Sequence, residues 1–256
     1  MELQGRCAIV TGGGRGIGRE IALMLASHGA SITVADLDPY HGKAVAEEIN
    51  SQGGSALSVR VDVSCNDQVE AMVSSSVKAF GSLYILVNNA GIGQNALVVD
   101  TTEEDWDRIL TVNLKGQFLC SRDAAKVMIR QGIGGRIVNI ASTAADNGRV
   151  EGAAYCASKA GVVQLTKVLA MELGAHNINV NAVSPGLTDT TDAPNINASA
   201  TYRSAFLSQV SLGRAGQAKE IAQTVLFLAS PQANFITGEV IHVDGGYSAG
   251  KLTVRG

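Results

Sequence analysis

The sequence predicts a single α/β domain, built as one doubly wound parallel sheet of about seven strands with helices on both faces. Three observations lead there. Short β-branched runs alternate with helical periods along all 256 residues. Apolar residues make up 46% of the chain and charged residues 17%, enough to build a large core. No linker, composition break or internal repeat divides the chain, so the domain is expected to run over 1–256. Glycine numbers 29 and proline only 4, which fits a packed fold with glycine-dependent turns rather than a low-complexity segment.

Taken in order, Cys7 to Thr11 (CAIVT) reads as a buried strand, and the helix after it places Ile17, Ile21, Met24 and Leu25 on one face. Ser31 to Ala35 is the second strand, and a polar helix follows around Lys43 to Asn50. From Ala56 to Val61, apolar Leu57, Val59 and Val61 alternate with Ser58 and Arg60, as in a half-exposed edge strand. Val69, Met72, Val73, Val77 and Phe80 mark the next helix. Tyr84 to Val87, Arg136 to Ile140, Ile178 to Val183 and Glu239 to Val243 supply four more strands. Helices are expected over 103–131, 153–175 and 218–229, the second burying Val162, Leu165, Leu169 and Leu173. Residues 187–212 break the rhythm and read as a polar, irregular lid within the domain. Right-handed crossovers put the ligand crevice at the carboxyl ends of the strands.

Composition excludes several classes. A net charge of −3 offers no large positive field to a phosphate backbone, so no nucleic-acid partner is expected. The longest apolar runs are a handful of residues, short of the ~20 that span a bilayer, so no membrane partner is expected either. The N-terminus shows no basic stretch followed by an apolar one, as a signal peptide would. Cys7, Cys65, Cys120 and Cys156 stand singly with no CxxC pair, which fits a reducing, cytoplasmic setting and no metal site. Asn197-Ala198-Ser199 matches a glycosylation sequon, a chance match without an export signal.

Chemistry is carried by four features. Thr11-Gly12-Gly13-Gly14-Arg15-Gly16-Ile17-Gly18 follows the first strand and opens the first helix, with GxxxGxG spacing and no GK[ST]. Glycines there let backbone approach a pyrophosphate, and the helix start offers N–H groups and a positive dipole end. Asp36 ends the second strand 18 residues after Gly18, where a carboxylate accepts hydrogen bonds from an adenosine ribose and repels a 2′-phosphate. Asp38 belongs to the turn before Pro39. Arg15 could reach a 2′-phosphate, but residue 37 is Leu and adds no second cation, so NAD is expected over NADP. Tyr155-Cys156-Ala157-Ser158-Lys159 places a phenol and an ammonium four residues apart on one helix face. A free phenol has a pKa of ~10, and a nearby ammonium should lower it towards the working range. Ser142, thirteen residues before Tyr155 and just past the strand RIVNI, can bring a hydroxyl beside it.

Thr11-Gly12-x-x-x-Gly16-x-Gly18, Asn88-Asn89-Ala90-Gly91, Asn113, Ser142, Tyr155-x-x-x-Lys159, Pro185-Gly186 and Val243-Asp244-Gly245-Gly246 occur in that order. The set resembles the short-chain dehydrogenase/reductase family over essentially the whole chain, which implies a Rossmann-type sheet. The resemblance implies Tyr155 as general acid/base and Lys159 as the residue that binds the nicotinamide ribose and lowers the tyrosine pKa. Ser142 would hydrogen-bond the substrate oxygen, and Asn113 would hold a water that relays the proton through Lys159. It further implies a cofactor site of Gly12, Arg15, Gly16, Ile17, Gly18, Asp36, Asn89, Ala90 and Gly91, with Asp62 and Val63 against the adenine. Pro185, Gly186, Thr188 and Thr190 would complete it near the carboxamide, although Thr188 stands where the family usually has Ile or Val.

These features together imply an NAD-dependent oxidoreductase acting on a secondary alcohol or ketone. Asp189, Asp192, Asn195, Asn197, Tyr202 and Arg203 in the lid suit a polar substrate such as a polyol or sugar. The alternatives are an NADPH-linked 3-oxoacyl-[carrier-protein] reductase, with Lys126 and Arg130 as a docking pair, and a catalytically silent NAD sensor on the same fold. The 3-hydroxybutyrate branch is matched at Gln94 but not at Ala144, Gly152 and Leu187, where His, Lys and Trp would be expected, which disfavours a small carboxylate. Surplus apolar positions on the 153–175 helix (Ala160, Val163, Met171) and a last strand at the sheet edge predict self-association. The resemblance makes the assembly a homotetramer.

Overall fold

The structure, a computed structural model, describes residues 2–93, 95–190 and 200–250. Seven strands form one parallel sheet: β1 (Cys7–Thr11), β2 (Ser31–Asp36), β3 (Ser55–Arg60), β4 (Ile85–Asn88), β5 (Gly135–Ile140), β6 (Ile178–Pro185) and, after two short strands elsewhere, β9 (Val240–Val243). Their order is β3-β2-β1-β4-β5-β6-β9, so the winding reverses between β1 and β4 and opens a crevice there. The half-polar third strand lies at one edge, as its alternation predicts, and β9 lies at the other.

Both faces of the sheet are covered, and successive side chains of one strand go to opposite cores. Ala8 and Val10 of β1, with Ile85 and Val87 of β4, pack under α1 (Gly16–Ser27), α2 (Pro39–Ser51) and α8 (Ala218–Ala229). Ile9 and Leu86 pack the other way, among Val69 and Met72 of α3 (Asn66–Phe80), Leu119 and Met128 of α5 (Gly116–Gln131), and Leu169 and Leu173 of α6 (Ala153–Leu173). A strand buried on both sides reads as a continuous apolar run, which is why these strands were legible.

Two expectations are corrected. The helix foreseen over 103–131 is interrupted. After α4 (Glu103–Leu110), whose first turn is capped by the Thr102 hydroxyl, residues Thr111–Lys115 form a wide π-type turn before α5. Wide turns of this kind are frequent at functional sites, and apolar periodicity does not show one because the helix axis continues through it. The irregular segment 187–212 contains structure as well. Thr188–Asp189 (β7) pairs with Gly216–Gln217 (β8), and Ala200–Leu207 forms α7. Asp192, Asn195, Asn197 and the Asn197 sequon, like Gln94, lie outside the described residues.

Candidate active site

At the β1/β4 switch point, backbone geometry dominates. Gly12 has φ +60, a conformation that side chains disfavour. A Cβ at Gly18 would stand 2.0 Å from the Gly12 carbonyl oxygen, so only glycine lets α1 start this close to the turn. Asn89 ties the turn to β4, its side-chain amide donating to the carbonyls of Thr11 and Gly12, each at 3.0 Å. The Thr11 hydroxyl accepts the N–H groups of Asn89 (3.0 Å) and Ala90 (3.1 Å). The Arg15 side chain does not cap the start of α1 and is exposed.

Asp36 closes the turn from β2. Its Oδ2 accepts the Gly14 N–H at 2.8 Å and its Oδ1 accepts the Asp38 N–H at 2.9 Å. Asp38 instead caps α2, accepting from Tyr40. The Asp62 carboxylate takes the N–H and hydroxyl of Ser64 at 2.9 and 2.6 Å, and Val63 is buried against Gly116.

Beyond the switch point, β5, α6 and the end of β6 enclose a cavity of about 330 Å³. Ile17, Asn89, Gly91, Ser142, Tyr155, Lys159, Pro185, Gly186, Thr188 and Thr190 all line it. Among the expected site residues, Gly12, Arg15, Gly16, Gly18, Asp36, Asp62, Val63, Ala90 and Asn113 do not line this cavity. The first six of these, with Val63, lie along the β1–β3 end of the crevice or at the glycine turn. Asn113 sits behind the cavity wall and is fully buried, not solvent-facing as a mid-helix Asn usually is. Its Oδ1 accepts the Ile92 N–H (2.8 Å), and its Nδ2 donates to the Ile92 carbonyl (2.9 Å) and the Ser158 hydroxyl (3.2 Å). That side chain is committed to holding the Gly91–Ile92 loop and the first turns of α6.

Ser142 follows β5 in extended conformation, and its hydroxyl bonds the Tyr155 phenol while accepting the Ala144 N–H at 3.2 Å. Lys159 is buried one turn further along α6, and its Nζ donates to the Ile140 carbonyl at 2.8 Å. Burial pushes the Lys159 pKa down to about 8. Here the expected lowering of the tyrosine pKa is corrected. Burial is the largest influence on Tyr155 and raises its pKa; the Ser142 hydrogen bond and the charge of Arg149 oppose the rise. Lys159 Nζ stands 5.8 Å from the ring centre and is turned to the Ile140 carbonyl, so in this state the ammonium does not set the phenol's titration.

Sequence reasoning missed one wall of the cavity. Arg149, Phe206 and Tyr247 line it with Tyr202. Phe206 and Tyr247 stack at 4.3 Å, although 41 residues separate them in the sequence, and no spacing rule announces such a pair. The lid charges read as support for a polar substrate are partly spent on each other. Arg203 holds Asp189 in a two-pronged ion pair, with contacts of 2.6 and 2.8 Å.

Comparison with known proteins agrees with this geometry. Residues 12–248 match a family model described as enoyl-(acyl carrier protein) reductase. The chain is 44% identical over 248 residues to the 3-oxoacyl-[acyl-carrier-protein] reductase FabG of Staphylococcus aureus (strain Mu50 / ATCC 700699), covering 94% of this chain and 97% of that one. The FabG of Thermotoga maritima is 39% identical over 246 residues, covering 96% and 99%. A solved short-chain type dehydrogenase/reductase from Mycobacterium marinum superposes with TM-score 0.92 at 38% identity, covering 97% of this chain and 98% of that one. The chain belongs to the short-chain dehydrogenase/reductase family. As a member it is an oxidoreductase that works with a nicotinamide cofactor. The residues present fit that group. Only glycine at position 18 lets α1 start against the turn, the start of α1 lies at the switch point where helix starts take phosphates, and Ile17, Asn89 and Gly91 line the cavity that reaches Tyr155 and Lys159. Among the described residues, no helix is long and apolar enough to cross a membrane, and no cluster of three metal-ligating side chains occurs.

Proposed function

We propose that this family member interconverts a ketone and a secondary alcohol, prefers NAD(H) to NADP(H), and uses Tyr155 as its acid/base group. The observation that carries the reading is the Tyr155 phenol, bonded to Ser142 on the floor of the cavity with Lys159 one turn away. When bound, the nicotinamide supplies or accepts the hydride at the substrate carbon. Ser142 holds the substrate oxygen, and Tyr155 passes its proton to that oxygen as charge develops there. A phenol whose pKa burial raises stays protonated at neutral pH, which suits carbonyl reduction. Asn113 positions this group through Ile92 and Ser158. Lys159, Asn89, Gly91, Pro185, Gly186, Thr188 and Thr190 would hold the nicotinamide end. Gly12, Arg15, Gly16, Ile17, Gly18 and Ala90 would hold the pyrophosphate, and Asp36, Asp62 and Val63 the adenosine.

For substrate class, the FabG relatives support a 3-oxoacyl group. The polyol reading loses support because Asp189 and Arg203 pair with each other. Carrier docking at Lys126 gains none, since Lys126 pairs with Asp123 at 2.9 Å. NAD preference rests on Asp36 with Leu37 beside it. Exposed Trp106 and Phe118 on α4 and α5, Met171 on α6 and Phe235 near the β9 edge support two self-association surfaces and hence a homotetramer. Light scattering at micromolar concentration checks the assembly, and a monomer mass would sink it. Steady-state absorbance of NADH and NADPH against a 3-oxoacyl thioester and a panel of polyols checks the reaction. Turnover of the oxo compound with NADH is expected; no turnover with any of them would return the chain to a sensor role.

A further inference from the structure

Gln117 is an amide buried where packing alone gives no reason for one. It stands in the first turn of α5, just past the wide turn at Thr111–Lys115, and only 2% of its surface is exposed. Its Nε2 donates to the Ile140 carbonyl at 3.3 Å. Its Oε1 is buried and has no hydrogen-bond partner among the described residues. A buried acceptor left unpaired destabilises a fold, so an apolar side chain of similar shape would pack this place better. What the amide gains in exchange is its hold on one carbonyl.

That carbonyl is also the anchor of Lys159, whose Nζ donates to it at 2.8 Å. A carbonyl oxygen has two lone pairs and accepts both donors. Ile140 ends β5, two residues before Ser142, so a single oxygen joins α5, β5 and α6 beside the reacting groups. Ile140 and Lys159 line the cavity and Gln117 does not, so the amide stands behind the lysine rather than against a ligand. The lysine Nζ lies on the ligand side. A Cβ at Gly91, which also lines the cavity, would stand 3.7 Å from Nζ and 3.2 Å from Asn113 Oδ1. Asn113 and Gln117, four residues apart, share one helix face but divide the work. Asn113 is committed to Ile92 and Ser158, and Gln117 to the lysine's anchor. An ammonium on a flexible four-carbon stem takes its direction from the acceptors around it, so an acceptor that is itself pinned aims it.

We propose that Gln117 is a positioning residue for Lys159: by donating to the Ile140 carbonyl it fixes the oxygen that aims the ammonium at the ribose on the nicotinamide side of the cofactor. The proposal rests on the reading above in which Lys159 holds that end, and deepens it. No bond is made or broken in this role.

The test is calorimetric titration of ADP, ADP-ribose and NADH into four proteins: wild type, Gln117→Met, Lys159→Met and the double variant. ADP lacks the second ribose and ADP-ribose carries it, so the pair isolates the contact without turnover. Gln117→Met keeps the volume and loses the donor. It should weaken ADP-ribose and NADH about three- to tenfold, the scale of one neutral hydrogen bond, and leave ADP unchanged. Gln117→Asn, which keeps an amide but falls short of the carbonyl, should do the same. In the Lys159→Met background the Gln117 change should add no further loss, because the group it aims is gone. An equal loss for ADP would mean a general structural role and overturn the proposal. A loss that persists in full without the lysine, or no loss in either Gln117 variant, would overturn it too and leave the Lys159 reading intact. Unchanged ADP-ribose binding in Lys159→Met would sink the Lys159 reading, and the proposal with it.

Discussion

The two ends of the crevice are built from different materials. At the glycine turn the determinants are backbone: a positive φ at Gly12, a Gly18 that admits no Cβ, and carbonyls tied down by Asn89. At the Arg149 end they are side chains brought in from the loop before α6, from α7 and from the segment after β9. A backbone site of this kind tolerates few residue types and suits a ligand that does not vary, whereas a side-chain wall can be exchanged one residue at a time. The difference teaches that a shared cofactor end says little about what the other end accepts.

Four experiments sharpen or break that contrast. The largest effect is expected at the junction of the two ends. Tyr155→Phe keeps the ring packed and loses the proton, so kcat should fall by roughly 10²- to 10⁴-fold. NADH binding, followed by its fluorescence, should stay near wild type. Retention of near-wild-type kcat would remove Tyr155 from the chemistry.

At the backbone end, Asp36→Ala should change the ratio of kcat/KM for NAD to that for NADP. The expected shift is about 10- to 100-fold towards NADP, since a hydrogen bond to a charged group contributes ~1.5–3 kcal/mol. Because the Asp36 carboxylate also accepts from Gly14, some loss with both cofactors is expected. A wild type that already prefers NADP would refute the assignment.

Lys159 gives a smaller effect, visible without any ligand. Its pKa is about 8 in the folded chain against 10.5 for the ordinary group, so burial costs stability at neutral pH, where both states hold the proton. Between those values the unfolded chain binds a proton that the folded chain has released, and stability must rise with pH. Denaturant unfolding of wild type minus Lys159→Met should therefore climb from pH 8 to 10 by up to about 1.4 kcal/mol per pH unit. A flat difference would mean that the ammonium is solvated.

The smallest effect belongs to the substrate wall. The Arg203–Asp189 pair ties α7, which carries Tyr202 and Phe206, to β7, but both partners are substantially exposed. Exposed pairs contribute ~0–1 kcal/mol, so Asp189→Asn should raise substrate KM by less than about fivefold and leave the KM for NADH unchanged. An equal rise in both would show that the two ends are not separable.

The sequence by itself determined the sheet, its seven strands and the glycine turn after the first of them. Strands buried on both faces must be apolar throughout, and a pyrophosphate-sized turn must be glycine, so the residue types report the structure directly. Ser142, Tyr155 and Lys159 were legible as a strand end and one helix face, whereas Asn113 came only from the family resemblance. Tertiary structure alone decided the rest. Asn113 became a buried clamp because the wide turn at Thr111–Lys115 turns it inward, where Ile92 and Ser158 satisfy its amide. The balance of burial and charge on Tyr155 and Lys159 depends on which atoms surround them, which spacing along a helix does not encode. Arg149, Phe206 and Tyr247 are spread over nearly a hundred residues of chain, and only folding brings their side chains to one cavity.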